Sequence, residues 1–304
     1  MKQQQGIALI TILVMVALAT ILAATIAKRQ AATAESTAYL MRQNQSLMYA
    51  KSAEAFFSEL LVDDAENAAD IDHLNETWAQ QMPPFPVDDG YIAGRLEDES
   101  GKFNLNSLVA EDGTVNEPAK KWFELILKRV GLPEQLSEAV IDWQDQDELP
   151  IGAMGAESIH YQGLPNAALP PNANFHSIEQ LKLVRGFEEN RYKLLLPYVT
   201  AAPLKDTQVN INTAPAALLA SLDDKLDVNA VQQALDLKFG KQEHFANVSE
   251  LWQVAPFDQI AAENRNQFAT LLGVKSQFFK ARIEVMLNER KRQISSDLIR
   301  QDKQ

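Results

Sequence analysis

The residues best suited to chemistry are gathered between Asp142 and Glu157, in DWQDQDELPIGAMGAE. Asp142, Asp145 and Asp147 stand at offsets of zero, three and five, and Glu157 follows fifteen residues after Asp142, across a loop containing Gly152 and Gly155. Four such carboxylates can converge as hard oxygen ligands, supplemented by loop carbonyls. Calcium is the natural occupant, because a flexible loop does not enforce the tight octahedron of magnesium and zinc prefers Cys and His. The spacing is not that of an EF-hand, which needs a glycine at the sharp turn position. A helix end trailing into a solvated acidic loop explains the same residues, and spacing alone leaves both readings open. A catalytic carboxylate pair finds no support, since no nucleophile, phosphate cradle or pocket signature accompanies it.

The rest of the composition narrows the classes. There are no cysteines, so thiolate metal sites, cysteine nucleophiles and disulfides are excluded. The four histidines, His73, His160, His176 and His244, form no HxxxH or HExxH pair. A formal charge of -13 and a pI near 4.8 repel phosphate, which argues against nucleic acid and against docking on anionic lipid.

Several elements must position the acidic stretch. Residues 7–27 form an uncharged apolar run, and 21 residues of helix are about 30 Å long, enough to cross a bilayer. This run is too long for the apolar core of a cleavable secretory signal. Apolar residues continue at three and four spacing without Pro or Gly, so one helix is expected from about 7 to 61. The run Met82-Pro83-Pro84-Phe85-Pro86 stops any helix there. Alternation over 91–98, a turn at 99–102 and resumed alternation over 103–106 predict a first hairpin. Residues 279–287 and 294–299 around a turn at 288–290 predict a second. Between them lie short helical patterns at 119–130, 133–143, 177–184, 214–222 and 229–239, with Trp122, Trp143 and Trp252 as expected core.

This helical region contains a diverged repeat. FNLNS at 103–107 parallels VNINT at 209–213, and the Phe, Leu, Val and Phe of 175–187 recur in register at 245–257. Asn106 lies 69 residues before Phe175, whereas Asn212 lies 33 before Phe245, so the first unit carries about 36 more residues, among them the acidic stretch. Thr213, with Pro215 just inside the following helix, is expected to act as an N-cap.

The chain opens MKQQQGIALIT, a short positive leader ending in Gly6 and followed at once by the apolar helix. This resembles the class III signal of type IV pilins and type II secretion pseudopilins. Most members of that family carry Glu at the fifth residue after the cleavage point, and here that position is Thr11. Loss of the Glu is typical of one branch, the minor pseudopilins called general secretion pathway protein K. GKFNLNS (101–107), IDWQDQD (141–147), GAE (155–157) with Tyr161, PYVT (197–200) and VNINTAP (209–215) are similar to that branch along the whole chain.

The resemblance implies cleavage by a prepilin peptidase between Gly6 and Ile7, methylation of the new amino terminus, and a single-pass inner-membrane protein whose globular part is periplasmic. It implies an α+β fold: leader 1–6, transmembrane helix 7–27, a pilin-like α/β domain from 28–106 and 270–304, and an inserted helical domain over 107–269. Asp142, Asp145, Asp147 and Glu157 are then the ligands of one or two structural calcium ions. The implied function is non-enzymatic: a subunit at the tip of a periplasmic pseudopilus, with Thr11 as the assembly position and other minor pseudopilins as partners, initiating or capping assembly for protein export. The rival is a membrane-anchored periplasmic DNA receptor, because the helical units also resemble helix-hairpin-helix modules. Against it, Arg185-Gly186-Phe187 keeps one turn glycine and Ala255-Pro256-Phe257 none.

Overall fold

The computed structural model describes residues 5–67, 70–164, 169–188 and 190–301. Leader residues 1–4 therefore lie outside the described residues. Helix α1 runs from Gln5 to Asn67 as 63 uninterrupted residues, longer at its far end than the apolar spacing predicts. Its first part is fully exposed, as expected of a surface that meets lipid or other subunits, and it is the one helix among the described residues long and apolar enough to cross a membrane. Farther on, Ser46 and Ala50 and then Phe57 and Leu61 are buried at helical spacing.

Four strands form the main sheet in the order β1 (Phe85–Val87), β2 (Gly90–Asp98), β7 (Phe278–Leu287) and β8 (Arg290–Ile299). At Gly94 the backbone passes close to the Phe57 ring, where a Cβ would stand 2.7 Å from it. The C-terminal hairpin forms as expected, and Asn288 and Glu289 both take positive φ, 48° and 63°, as a tight two-residue turn demands.

The first expected hairpin does not form. β2 pairs antiparallel with β1, while β3 (Phe103–Asn104) pairs in parallel with β4 (Val199–Thr200). The turn residues are committed elsewhere: the Glu99 and Ser100 amides both donate to the Phe278 carbonyl, at 2.9 and 3.2 Å. Ser100 N also donates to Asp98 Oδ1 at 2.8 Å. This bends the chain out of the sheet and delivers Phe103 into the helical core, where it stacks on Phe123 with ring centroids 5.6 Å apart.

The helical region follows as α2 (Glu117–Arg129), α3 (Leu136–Asp142), α4 (Ser158–Gln162), α5 (Arg191–Leu195), α6 (Ala216–Ala220), α7 (Val228–Phe239), α8 (Val248–Leu251) and α9 (Ala262–Phe268), with β5 (Val209–Asn210) and β6 (Leu272–Gly273) closing it. Asn116 and Asp227 cap α2 and α7 through their side-chain oxygens. Thr213 does not cap α6; its hydroxyl donates instead to Asp98 Oδ2 at 2.5 Å, and Pro215 holds the cap position. Trp122 and Trp143 are buried as expected, and Trp252 is partly buried against the same core.

The repeat has a structural meaning. Asn106 accepts from Phe175 N at 2.7 Å and donates to Phe175 O at 2.9 Å; Asn212 accepts from Phe245 N at 2.8 Å and donates to Phe245 O at 3.1 Å. Each buried asparagine thus mimics a peptide group and closes its own unit, satisfying backbone that would otherwise be orphaned. In each unit a short strand at the start also pairs in parallel with one at the end, β3 with β4 and β5 with β6. Among the described residues, those within 1–53, 84–93 and 283–294 form one compact unit by packing, and those within 54–83, 94–282 and 295–304 another.

Candidate metal centre

α3 buries Leu136, Ala139, Val140 and Ile141 on the core. Helical hydrogen bonding continues past its end, with Asp145 N donating to Ile141 O at 3.0 Å. Asp142 and Asp145, one turn apart, therefore share a face. Gln144 anchors this corner by donating to the Leu105 and Val140 carbonyls at 3.1 and 3.0 Å. Behind it stand Trp143, Tyr161 and Phe175, with the Trp143 ring edge-on to Tyr161 at 5.4 Å and stacked on Phe175 at 6.2 Å.

The loop then returns over the carboxylates. Ile151 N donates to Asp142 at 3.2 Å and Ala156 N donates to Asp142 Oδ2 at 2.8 Å. Met154 N donates to Glu138 Oε2 at 2.8 Å. This approach needs glycine twice. A Cβ on Gly155 would stand 2.4 Å from Asp142 Oδ2, and Gly152, at φ +59°, would place one 2.3 Å from Glu138 Oε1. Arg185 fastens the outside of the loop, donating from Nη1 to Gly155 O at 2.9 Å.

Asp142, Asp145 and Glu157 are brought together, each offering an oxygen within 4.8 Å of the others, and they are 0%, 7% and 4% exposed. Asp147 is not in this group: its Oδ1 accepts from Leu149 N at 2.7 Å and it lies on the exposed side. Glu148 likewise turns outward and accepts from Ser158 Oγ at 2.9 Å. Burial first, then repulsion from the neighbouring carboxylates, pushes Asp145 and Glu157 up to about 7. Burial also raises Asp142, to about 6, even though the Ile151 and Ala156 amides pull it down. Asp145 Oδ1 and both oxygens of Glu157 are buried without a hydrogen-bond partner. Each ionised pair at this separation costs about 3 kcal/mol at an effective dielectric of about 20.

The donor set fits a hard divalent cation. Two oxygens bound at about 2.4 Å to one ion can be no more than about 4.8 Å apart, which matches the cluster, and there is neither Cys nor ligating His to favour a softer metal.

A second carboxylate group escapes the sequence reading. Asp64, Asp72 and Glu76 also converge within 4.8 Å. Arg300 sits on them, donating from Nη1 to Asp72 Oδ1 at 2.6 Å and from Nη2 to Asp64 Oδ2 at 2.8 Å. Glu76 Oε2 accepts from His73 N and Trp78 Nε1 at 2.9 and 2.7 Å. No spacing rule joins residues 64 and 300. His73 and His244, scattered in sequence, stack with centroids 4.3 Å apart.

A long apolar N-terminal helix, a four-stranded sheet and an inserted pair of helical repeats define a pilin-like subunit with an α+β fold. Residues 101–204 and 209–275 match two family models, both described as type II secretion system (T2SS), protein K. A type II secretion system protein K from Aeromonas hydrophila is 32% identical, over 98% of this chain and 94% of the relative. One from Pseudomonas aeruginosa is 33% identical over 98% and 90%. The fold is similar to a chain of the GspK-GspI-GspJ complex of the enterotoxigenic Escherichia coli type 2 secretion system, with a TM-score of 0.78 and 24% identity over 88% of this chain and 94% of that one. The chain belongs to the type II secretion system protein K family, the minor pseudopilins of that system. None of these relatives is named as a DNA-binding protein.

Proposed function

We propose that the chain is a non-enzymatic tip subunit of the pseudopilus, anchored by residues 7–27 in the inner membrane with its folded part in the periplasm. The observation that carries the tip position is Thr11. Its hydroxyl donates to the Ala8 carbonyl of its own helix at 2.9 Å and carries no charge to offer a neighbour's amino terminus. A buried carboxylate at this point would need a protomer ahead of it, and a threonine satisfied within its helix does not. The bulk of the helical insert, taken as 107–269 within a 28–106 and 270–304 frame, agrees with a subunit onto which no other adds. A single buried cluster running from Phe103 to Leu272 supports that division. The proposed partners are two other minor pseudopilins, by analogy with the GspK-GspI-GspJ complex.

The same proposal includes cleavage between Gly6 and Ile7 by a prepilin peptidase and methylation of Ile7. Replacing Gly6 with a bulky residue is expected to leave a longer precursor on a gel; a variant of normal mobility would count against the reading. In the acidic loop we place a structural calcium ion on Asp142, Asp145 and Glu157, with Asp147 and Glu148 close enough in sequence to contribute through loop movement or a second ion. The three orphaned oxygens support this. Calcium bound there supplies positive charge that offsets the carboxylate repulsion. The residues themselves set the loop: Asp142 fixes its two amides, Gly152 and Gly155 permit the approach, and Arg185 ties the rim. Co-purification of the full chain with the other minor pseudopilins of its system, in detergent, tests the assembly role. Consistent failure to associate would sink it.

A further inference from the structure

A chain with a formal charge of -13 gathers four cations around one groove. The groove, about 250 Å³, lies in the unit made of residues 1–53, 84–93 and 283–294. Tyr39, Arg42 and Gln43 of α1 line one side, and Arg290, Lys291 and Arg292 of β8 the other, with no carboxylate in the lining. Arg292 Nη1 donates to the Gln43 carbonyl at 3.1 Å, and the Arg290 guanidinium lies 5.4 Å from the centre of the Tyr39 ring. Both are positioned without neutralisation. Lys291 is the exception, paired with Glu284 at 2.5 Å. Among the described residues Arg42, Arg290 and Arg292 have no carboxylate within salt-bridge distance. Charges on an edge strand also deter strand addition. That duty is met by either sign, and it does not require an arginine on the facing helix.

The surroundings select the occupant. From Ala27, the end of the apolar run, to Arg42 is fifteen residues, or about 22 Å of helix. Headgroups reach only about 5–8 Å beyond the hydrocarbon. Lipid phosphate is therefore out of range. Leu40 and Leu47, seven residues apart, are 54% and 39% exposed and lie about a quarter turn round α1 from the groove-lining positions. An apolar edge beside a cationic groove fits an amphipathic helix that carries carboxylates along one margin.

We propose that this groove docks a carboxylate-bearing helix of a partner subunit, its apolar face on Leu40 and Leu47 and its acidic side chain between Arg42, Arg290 and Arg292. The proposal rests on the pseudopilin assembly described above and adds its charge code.

The test uses the full chain in detergent with the other minor pseudopilins of its system. The double reversal Arg42→Glu/Arg290→Glu alters two exposed side chains, and Lys225→Glu/Lys241→Glu makes the same charge change on exposed positions of the helical region. We expect the groove variant to lose about tenfold in retained partner, the control to bind as wild type, and wild-type binding to weaken as salt rises. Melting of both variants separates lost docking from lost fold; single reversals replace the pair if it melts early. A groove variant that binds as wild type overturns the groove while leaving the assembly intact. If the wild type retains no partner, both readings fall. A melting shift in vesicles containing phosphatidylglycerol that is absent in phosphatidylcholine alone and abolished by the reversal, without partner binding, would assign the groove to lipid and overturn the proposal.

Discussion

The triad of Asp64, Asp72 and Glu76 and the triad of Asp142, Asp145 and Glu157 each bring three carboxylate oxygens within 4.8 Å. The first contains its own cation. Arg300 spans Asp64 and Asp72, Ser276 N donates to Asp72 Oδ2 at 2.7 Å, and Trp78 satisfies Glu76. The second contains none, and three of its buried oxygens face no donor. Proximity of carboxylates is thus a poor guide to a metal site by itself. What separates the two is the accounting of charge and hydrogen bonds around them.

The largest effect is expected where the cation is built in. Arg300→Met should destabilise the fold by about 3 kcal/mol or more, because it leaves buried carboxylates unpaired, and the loss should be the same with calcium or chelator. Thermal melting under both conditions measures it; a loss rescued by calcium would mean the first triad binds metal too. Next comes Asp145→Ala, which should remove a calcium-dependent stabilisation of about 3 kcal/mol at saturating metal. Equal melting of wild type with and without chelator would contradict this.

Asp145→Asn sharpens the contrast by changing sign. Without metal it relieves repulsion and should raise the melting temperature by an amount worth about 1 kcal/mol, while abolishing the calcium response. The smallest and most specific effect is on pH. Burial, and then repulsion from the neighbouring carboxylates, holds Asp145 and Glu157 up to about 7 in the metal-free fold, above their ordinary values of 3.8 and 4.5. The folded state therefore holds more protons than the unfolded state between those limits. The stabilisation this provides is complete below about pH 4 and is lost as pH rises through about 7. Metal-free protein should accordingly melt higher at pH 5 than at pH 7.5, and the increment added by calcium should grow with pH. A metal-free protein that melts lower at pH 5 would oppose the account.

The same contrast marks what could be read from sequence. α1 and the β7–β8 hairpin were legible because their signals are local: an unbroken apolar period and strict alternation around a tight turn. The asparagine repeat was visible as a pattern, though not the Asn106–Phe175 and Asn212–Phe245 clamps it encodes. The hairpin expected at 91–106 failed because Glu99 and Ser100 answer to Phe278, 178 residues or more away. Composition of the turn carries no trace of that partner. In the acidic loop, spacing groups Asp142, Asp145, Asp147 and Glu157 alike; it carries no sign that three of them converge while Asp147 turns toward the amide of Leu149. The Arg300 triad was illegible for the simplest reason, since its cation arrives from the far end of the chain.

The second triad, and not the first, is expected to take a divalent cation. Calcium bound per chain, measured by equilibrium titration on the purified full chain in detergent, tests it most directly across wild type, Asp145→Ala and Arg300→Met. Calcium binding is expected in wild type, with loss in Asp145→Ala and retention in Arg300→Met where that variant remains folded. Wild type that binds no calcium, or Asp145→Ala that binds as wild type does, would contradict it.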